Sequence, residues 1–421
     1  DGGSGQIFYV TPGYQLIGLD AATGRRLSSF GTDGIVDLKQ NMDQDIDLVT
    51  GEVGLHAAPI VAGDTILVGA AHLPGSAPRT LENVKGHIRG FDARTGERKW
   101  IFHTVPGADE FGNDTWLNES WRYTGNTGVW GQMTIDVELG IAYFATEMPT
   151  NDYYGGHRHG DNLYSDTLVA VDLETGERLW HYQFIHHDVW DWDLPCAPIL
   201  VDITVDGREI KAIAQPSKQT WLYVFDRVTG EHIVTTRYGA TSNWASHIRE
   251  SGSPNPHPDK EAIIPGALVS PVEGGVANWQ PPAFSPDTGL FYTQENNGFN
   301  LLYLTELDPR GSMGLGGKDR ITVGSGGNAL SAIDYRTGET AWRHAWPIGG
   351  GGGAGVLTTA GGLVFTGDGS GNFVAFDAAD GDLLWHTRIG NISNAPQTYL
   401  IDGRQHVLVA SGRQLYAFVM Y

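Results

Sequence analysis

A chain of 421 residues with 58 glycines, 20 prolines and 40% hydrophobic residues has the composition of a folded protein with many tight turns. Its 49 acidic side chains outnumber the 27 basic ones, and the net charge of −22 argues against a nucleic-acid partner, because binding to phosphates needs a basic surface. The single cysteine, Cys196, excludes an internal disulfide framework, a cysteine-based zinc site and a covalent c-type haem within these residues.

The predicted elements are hairpins that recur along the chain. Five times a strand-like run ends in Asp and is followed by a Thr-Gly turn, and an aromatic residue follows four of these turns. We expect the Asp to accept backbone hydrogen bonds, the Gly to adopt a positive φ, and the aromatic ring to seal the unit against its neighbour. The units carry Asp20 with Phe30, Asp92 with Trp100, Asp172 with Trp180, Asp226 without an aromatic, Asp334 with Trp342 and, in a degenerate sixth copy, Asp377 with Trp385.

The spacing of these units predicts the fold. Successive aspartates lie 72, 80, 54, 108 and 43 residues apart, and the longest interval has room for a blade without the signature, with strands in 278–292. No window shows a sustained helical period. Units this small cannot each bury a core, so the pattern predicts one all-β propeller of four-stranded blades spanning 1–421. Insertions at 103–129, 147–166 and 238–275 are where a site is expected.

The string HHDVWDWDLP at 186–195 is the densest cluster of reactive groups in the sequence. If this segment is a strand, Asp191 and Asp193 face the same side, and a cation or a shared proton would relieve their repulsion. The alternative is that one Asp caps a turn and that the adjacent histidines are structural. The residues alone leave both interpretations open.

Other candidate site residues lie at three places along the chain. Thr150 and Asn151 offer short oxygen ligands that suit a hard cation such as calcium, although an Asx-turn is the more ordinary explanation of these residues in isolation. Lys218 precedes an apolar strand, where its charge would polarise a carbonyl, and the alternative is an ordinary surface lysine. Trp130 is either a stacking platform or another blade-sealing tryptophan.

Together these segments resemble the pyrroloquinoline quinone (PQQ)-dependent dehydrogenases, the eight-bladed quinoprotein family of alcohol and membrane-type glucose dehydrogenases. The most specific strings are HHDVWDWDLP and PTNDYYGGH at 149–157. Further matches are GHIRGFDARTG at 86–96, QPSK at 215–218, ANW at 277–279 and GGLVFTG at 361–367. The resemblance implies an eight-bladed β-propeller that oxidises an alcohol or sugar hydroxyl with PQQ and calcium, with a lanthanide or magnesium as alternative metals.

The resemblance also implies catalytic and metal-binding roles. Asp191 matches the base that removes the hydroxyl proton, after which hydride passes to C5 of the quinone, and Lys218 matches the cation bonded to the quinone oxygens. The implied metal ligands are Asp191 with Thr150 or Asn151. Asp193 stands at a position that lanthanide-dependent methanol dehydrogenases and membrane glucose dehydrogenases fill with Asp, so it joins the metal set without deciding the metal.

Cofactor contacts follow from the same resemblance. Trp130 matches the indole stacked under the cofactor plane, and Asn278 and Trp279 match an Asn-Trp pair near the quinone edge. His56 stands where the family usually has Thr, at a contact to a cofactor carboxylate.

A rival interpretation is a non-catalytic propeller of PQQ-like repeats that serves as a binding or assembly scaffold. Such scaffolds retain the hairpins but have no reason to keep the 186–193 string together with Lys218.

The expected electron acceptor is a separate quinone or cytochrome, because the sequence has no C-x-x-C-H motif. We expect a periplasmic protein, with any membrane association made by a segment outside this sequence. We also expect the chain to lack part of the first blade, because the first repeat begins almost at once.

Overall fold

The computed structural model describes residues 5–55, 57–72, 81–151, 153–205, 207–239, 242–307, 316–347 and 353–419. Within these ranges the chain is almost entirely β-structure, as the repeats predict, and helix is confined to three 3-10 segments, Asn113–Thr115, Leu117–Arg122 and Pro258–Lys260. None of the described helices has the length and apolar character that a membrane crossing requires. The predicted cofactor residue His56 lies outside the described residues.

The chain divides into two compact units, of which the first comprises Asp1–Pro195 and Leu304–Asp319. Its sheets are antiparallel and follow chain order. They are β1 (Gln6–Val10), β2 (Gln15–Asp20) and β3 (Ile35–Asp37); β4 (Val53–Gly54) with β7 (Ala71–His72); β5 (Ile60–Ala62), β6 (Thr65–Val68), β8 (Ile88–Asp92) and β9 (Arg98–Phe102); and β10 (Thr134–Asp136), β11 (Ile141–Ala145), β12 (Thr167–Asp172) and β13 (Arg178–Gln183).

The second unit comprises Cys196–Tyr303 and Arg320–Tyr421. Its sheets are β14 (Ile199–Val205), β15 (Arg208–Pro216), β16 (Trp221–Asp226) and β17 (His232–Arg237); β18 (Ala245–Ile248) and β19 (Pro254–Pro256); β20 (Ala267–Val269), β21 (Ala283–Ser285), β22 (Leu290–Leu307), β23 (Gly316–Asp334) and β24 (Thr340–Ala345); β25 (Leu357–Thr358), β26 (Leu363–Gly367), β27 (Asn372–Asp377) and β28 (Leu383–Arg388); and β29 (Gln397–Ile401), β30 (Arg404–Ser411) and β31 (Gln414–Val419).

The place of a strand within its sheet decides how it is buried. The first strand of a sheet, β14, alternates buried Val201 and Ile203 with exposed Asp202 and Thr204, as expected for a strand with one covered face. The inner strand β12 pairs with β11 and β13, and its residues are buried on both faces from 167 to 171. The inner strand β12 therefore contributes to the apolar core from both faces, whereas β14 contributes from one.

The repeated Asp-Thr-Gly turn has the predicted hydrogen bonds. In the copy after β12, Asp172 Oδ1 accepts the N–H groups of Glu174 at 3.0 Å and Thr175 at 2.9 Å. The N–H of Gly176 donates to the carbonyl of Asp172 at 2.9 Å, and the φ of Gly176 is 72°. Copies of this turn follow β2, β8, β16 and β23, so the hairpin prediction is confirmed.

The aromatic residue of one repeat packs on the turn of the next. Trp100 of β9 donates from Nε1 to the carbonyl of Leu173 at 2.9 Å, and a Cβ added to Gly176 would lie 2.5 Å from its indole. Trp342 of β24 does the same with the carbonyl of Ala378 at 3.0 Å. The turn glycine therefore has two roles, a positive φ and the absence of a Cβ beneath the neighbouring ring.

Candidate active site

In the first unit, a tight turn at 188–192 presents Asp191. The carboxylate of Asp188 is fully buried and accepts the N–H groups of Trp190 at 2.8 Å and Trp192 at 2.7 Å, one on each side of Asp191. Asp191 has a φ of 62°, and its side chain is half-buried. The strand assumed for this segment is wrong, because the two N–H bonds to Asp188 close a turn instead. The alternative, in which one Asp caps a turn, is correct for Asp188.

Trp130 lies beside the end of this turn. Its indole Nε1 donates to Asp193 Oδ2, and Asp193 is buried at 3% exposure. The next residue, Gly131, fits against the backbone of Pro195, where an added Cβ would lie 2.2 Å from the carbonyl oxygen. The indole N–H of Trp130 therefore goes to a site carboxylate, whereas the sealing tryptophans Trp100 and Trp342 donate to turn carbonyls. The structure brings together two of the predicted site residues, Trp130 and Asp193.

Thr150 and Asn151 follow β11 in the same unit and have different roles. Thr150 exchanges hydrogen bonds with Gly125, since its Oγ1 accepts the Gly125 N–H at 3.1 Å and its own N–H donates to the Gly125 carbonyl at 3.0 Å. This pair fastens Thr150 to the loop that leads to Trp130. Asn151 has a φ of 69° and is 1% exposed, and neither its Oδ1 nor its Nδ2 has a hydrogen-bond partner among the described residues.

The donor set fits a hard cation. A buried amide with no partner is costly unless something binds it, and an amide oxygen is a ligand that calcium accepts together with carboxylates. Among the described residues no three His, Cys, Asp or Glu side chains converge as metal ligands. A cation bound here would therefore take amide or hydroxyl oxygens, such as Asn151 Oδ1, alongside the carboxylates.

Three further charged residues of the first unit are buried and were not predicted as site residues from the sequence. Arg158 has an exposed fraction of 0%, and its guanidinium donates to Asn162 and to two backbone carbonyls. Asp166 is also fully buried, and burial together with the nearby Asp188 and Asp193 raises its pKa well above 3.8. Glu147 is 8% exposed and borders Gly128 in the loop before Trp130. No local motif marks these residues, because their burial depends on segments distant in sequence.

In the second unit, Lys218 is a buried residue in the turn after β15. It is 4% exposed, so the alternative of an ordinary surface lysine is wrong. Its carbonyl accepts the N–H of Val276 at 3.0 Å, and Gly275, with a φ of 73°, packs so closely that a Cβ would lie 2.4 Å from the Lys218 Cα. The preceding Ser217 is held by the buried Tyr238, whose hydroxyl accepts its N–H at 3.1 Å and donates to its carbonyl at 2.5 Å. The backbone on both sides of Lys218 is thereby fixed.

Asn278 and Trp279 belong to the loop that packs on Lys218. Asn278 donates from Nδ2 to the carbonyl of Gly274 at 2.6 Å and accepts the Trp279 N–H at 2.8 Å, so its amide organises the loop. Its carbonyl accepts a hydrogen bond from the buried Cys196 thiol at 3.0 Å. The Trp279 side chain is 39% exposed. The loop 274–278 therefore contains Asn278 and packs against Lys218.

Comparison with known proteins assigns more than half of the chain to one family. Residues 2–261 match the PQQ family described as the glucose/ethanol/alcohol dehydrogenase beta-propeller domain, and residues 326–419 match the family of the outer membrane protein assembly factor BamB. The chain is 31% identical over 448 residues to the quinohemoprotein alcohol dehydrogenase of Comamonas testosteroni, an alignment covering 97% of this chain and 58% of that protein. It is 30% identical over 440 residues to the lanthanide-dependent methanol dehydrogenase of Methylacidiphilum fumariolicum (strain SolV), covering 97% of this chain and 68% of that protein.

Solved structures support the same assignment. The crystal structure of the Comamonas testosteroni enzyme aligns with a TM-score of 0.83 at 27% identity, covering 99% of this chain and 65% of that chain. A europium-containing methanol dehydrogenase aligns with a TM-score of 0.83 at 29% identity, covering 97% and 72%. The chain therefore belongs to the PQQ-dependent dehydrogenase family, and its fold is the all-β propeller of the quinoprotein alcohol dehydrogenases. It spans somewhat more than half the length of the first relative, and the count of eight blades and the single domain 1–421 stay predictions.

Proposed function

We propose that this protein is a PQQ- and metal-dependent oxidoreductase that oxidises an alcohol. The observation that carries the proposal is the turn clamped by Asp188, which fixes the backbone on both sides of the half-buried residue Asp191. A scaffold has no need for a carboxylate presented in this way. The relatives reported above are named as alcohol or methanol dehydrogenases, so an alcohol is the first substrate class to test, and a sugar hydroxyl is the second.

Different side chains of the first unit bind the cation, stack on the cofactor and remove the substrate proton. Asp191 accepts the proton of the substrate hydroxyl, and a carboxylate within reach of the hydroxyl is the ordinary group for this role. Asn151, Asp193 and Asp191 hold the cation, with Thr150 contributing either its hydroxyl or the positioning of its loop. The indole face of Trp130 is the stacking surface for a flat tricycle. When bound, PQQ would supply the two-electron acceptor and the cation would supply Lewis acidity.

Three of the predicted cofactor residues belong to the second unit. The buried ammonium of Lys218 would hold the anionic cofactor, and its fixed backbone makes that charge preorganised. Asn278 and Trp279, in the loop that packs on Lys218, would supply further cofactor contacts. We further propose that the electrons leave to a separate quinone or cytochrome and that the protein works in the periplasm. His56 completes the proposed cofactor contacts.

Reconstitution tests the proposal directly. The full-length protein, freed of cofactor and metal, should gain dye-linked alcohol dehydrogenase activity only when PQQ and calcium or a lanthanide are both added, and a chelator should reverse the gain. Lys218→Ala should weaken PQQ binding severely, whereas Lys211→Ala on strand β15, which precedes the Lys218 turn, should not. Asp191→Asn should bind cofactor and metal yet lose nearly all turnover, and Asp161→Asn at an exposed neighbouring position is its control.

The local match of 326–419 to an outer-membrane assembly factor family keeps the scaffold as the second candidate. Calorimetry separates the two functions, because a scaffold has no reason to bind PQQ. If the full-length protein with metal present shows no heat of PQQ binding, the scaffold is the better account. If Asp191→Asn retains most of the parent kcat, Asp191 is not the base.

A further inference from the structure

Arg158 is a fully buried cation that the proposed chemistry does not use. It lies in the string GGHRHG of the 147–166 insertion, and its exposed fraction is 0%. Burying a guanidinium costs free energy unless its donors are satisfied by close acceptors. The acceptors that Arg158 contacts therefore indicate what the buried charge holds in place.

The guanidinium joins two segments that carry predicted metal and base residues. Its Nη2 donates to the carbonyl of Asn151 at 3.2 Å and to the carbonyl of Asp188 at 2.5 Å. Its Nη1 donates to Asn162 Oδ1 at 2.9 Å, and Asn162 Nδ2 returns a hydrogen bond to the Arg158 carbonyl at 2.8 Å. Asn162 thereby holds the guanidinium in place through Nη1. The other terminal nitrogen, Nη2, bonds to both segments.

Both segments are held in conformations that need support. Asn151 has a φ of 69° and Asp191 a φ of 62°, and left-handed backbone is unfavourable for a residue with a side chain. Among the described residues the buried Asn151 amide has no hydrogen-bond partner, and Asp188 is the residue whose carboxylate closes the turn around Asp191. A guanidinium that bonds both backbones sets where the Asn151 amide stands relative to that turn.

We propose that Arg158 is a positioning residue of the cation site, and that it determines how tightly the protein binds its metal by fixing Asn151 against the 188–192 turn. The inference rests on the proposed function, since it concerns the cation of that site. Arg158 acts through backbone carbonyls and does not touch the cation. Mutation of a residue that holds a metal ligand in place typically changes the metal affinity by about 10–100-fold.

The test is a metal titration in which activity plays no part. Tb³⁺ is added to the metal-free, PQQ-loaded full-length protein, and binding is read from Tb³⁺ luminescence sensitised by the tryptophans of the site. Arg158→Lys keeps the charge but has no planar fork to span two carbonyls. We expect its Kd for Tb³⁺ to rise about 10–100-fold, with the folded state retained.

Arg89→Lys is the matched control. Arg89 is another fully buried arginine of the first unit, at 1% exposure, and it also donates to two backbone carbonyls, those of Gln40 at 3.1 Å and Leu38 at 2.7 Å. Its partners are not site residues. Arg89→Lys should lower the melting temperature but leave the Kd for Tb³⁺ within about twofold of the parent value, because independent sites contribute separately.

The outcomes separate this inference from the proposed function. If the parent protein binds Tb³⁺ and Arg158→Lys binds it as tightly, Arg158 is merely structural and the inference is overturned. If Arg158→Lys does not fold, Asn162→Ala replaces it, because that change releases one arm of the guanidinium; a higher Kd supports the inference and an unchanged Kd overturns it. If the parent and Arg89→Lys proteins bind no Tb³⁺, the proposed function itself fails, and the inference with it.

Discussion

At the scale of single residues, Asp188 has the clearest structural task in the site. Burial raises its pKa, while the N–H groups of Trp190 and Trp192 and the charge of Arg158 counteract that rise. The two carboxylate oxygens accept one N–H each, and these bonds stand on either side of Asp191. An acceptor pair of this kind cannot be replaced by an amide, which has one oxygen and one N–H₂.

We therefore predict that Asp188→Asn destabilises the protein by about 2–3 kcal/mol, since one buried N–H loses its acceptor and faces a donor. Asp172→Asn is the control, because Asp172 Oδ1 alone accepts both turn N–H groups and an Asn oxygen can replace it at a cost below about 1 kcal/mol. Urea unfolding of both variants measures the difference. Equal losses at the two positions would contradict the clamping role of Asp188.

Three half-buried histidines of the first unit, like the fully buried His87, have a pKa below the ordinary value. Burial, aided by the charges of Arg158 or Arg178, lowers the pKa of His157, His181 and His187 from 6.5 to about 4. In the unfolded chain these imidazoles regain their ordinary pKa, so between pH 6.5 and about 4 the unfolded state binds more protons. Their contribution to stability is therefore present above pH 6.5 and is lost as the pH falls towards 4.

We predict that the free energy of unfolding decreases between pH 6.5 and pH 4, and that His181→Gln makes this decrease shallower. The measurement is denaturant unfolding at a series of pH values for the parent and the variant. Comparing the two cancels the carboxylates, whose titration is common to both. A His181→Gln profile parallel to that of the parent would show that His181 does not titrate in this window.

At the scale of the elements, the turn glycines connect neighbouring repeats. Gly176 has a φ of 72° and lies under the indole of Trp100, and Gly381 has a φ of 79° and lies under Trp342. Gly24, in the first repeat, has a similar φ of 67° but nothing within 4 Å of an added Cβ. Glycine at equivalent positions therefore has one role in the first turn and two roles in the turns of Gly176 and Gly381.

We predict that Gly24→Ala costs about 1–2 kcal/mol, from left-handed backbone alone, and that Gly176→Ala costs about 2–4 kcal/mol, because the methyl group also displaces the Trp100 ring. Thermal and urea unfolding give both values. A second Trp100→Leu substitution should bring the cost of Gly176→Ala close to that of Gly24→Ala. Equal costs in the parent background would exclude contact with the ring as a source of stability.

At the scale of the whole molecule, the dominant property is the net charge of −22. Such a charge opposes compaction through self-repulsion, and salt screens it over a Debye length of about 10 Å at 0.1 M. We predict that the melting temperature of the metal-free protein rises by several degrees between low salt and about 0.2 M NaCl. A melting temperature that falls with salt would mean that surface ion pairs, such as Arg94–Asp64, outweigh the repulsion.

The sequence by itself determined whatever depends on residues close together in the chain. An Asp that accepts N–H bonds two and three residues ahead, and a Gly with positive φ, make the same turn wherever they occur, so the hairpins and the all-β class were predictable. The strings around Asp191 and Thr150 identified the family, because they carry chemistry that the fold alone does not need. Nearby residues meet by chain connectivity, whatever the rest of the protein does.

The tertiary structure alone decided burial and the partners that lie far apart in sequence. It closed a turn around Asp188 where a strand was assumed, buried Lys218 under the loop at 274–278, and placed Arg158 between carbonyls 7 and 30 residues away. It also gave Gly176 its second role beneath Trp100. These contacts form only when segments distant in sequence pack against each other. Their stability depends on the packing of the whole chain, so no short stretch of sequence predicts them.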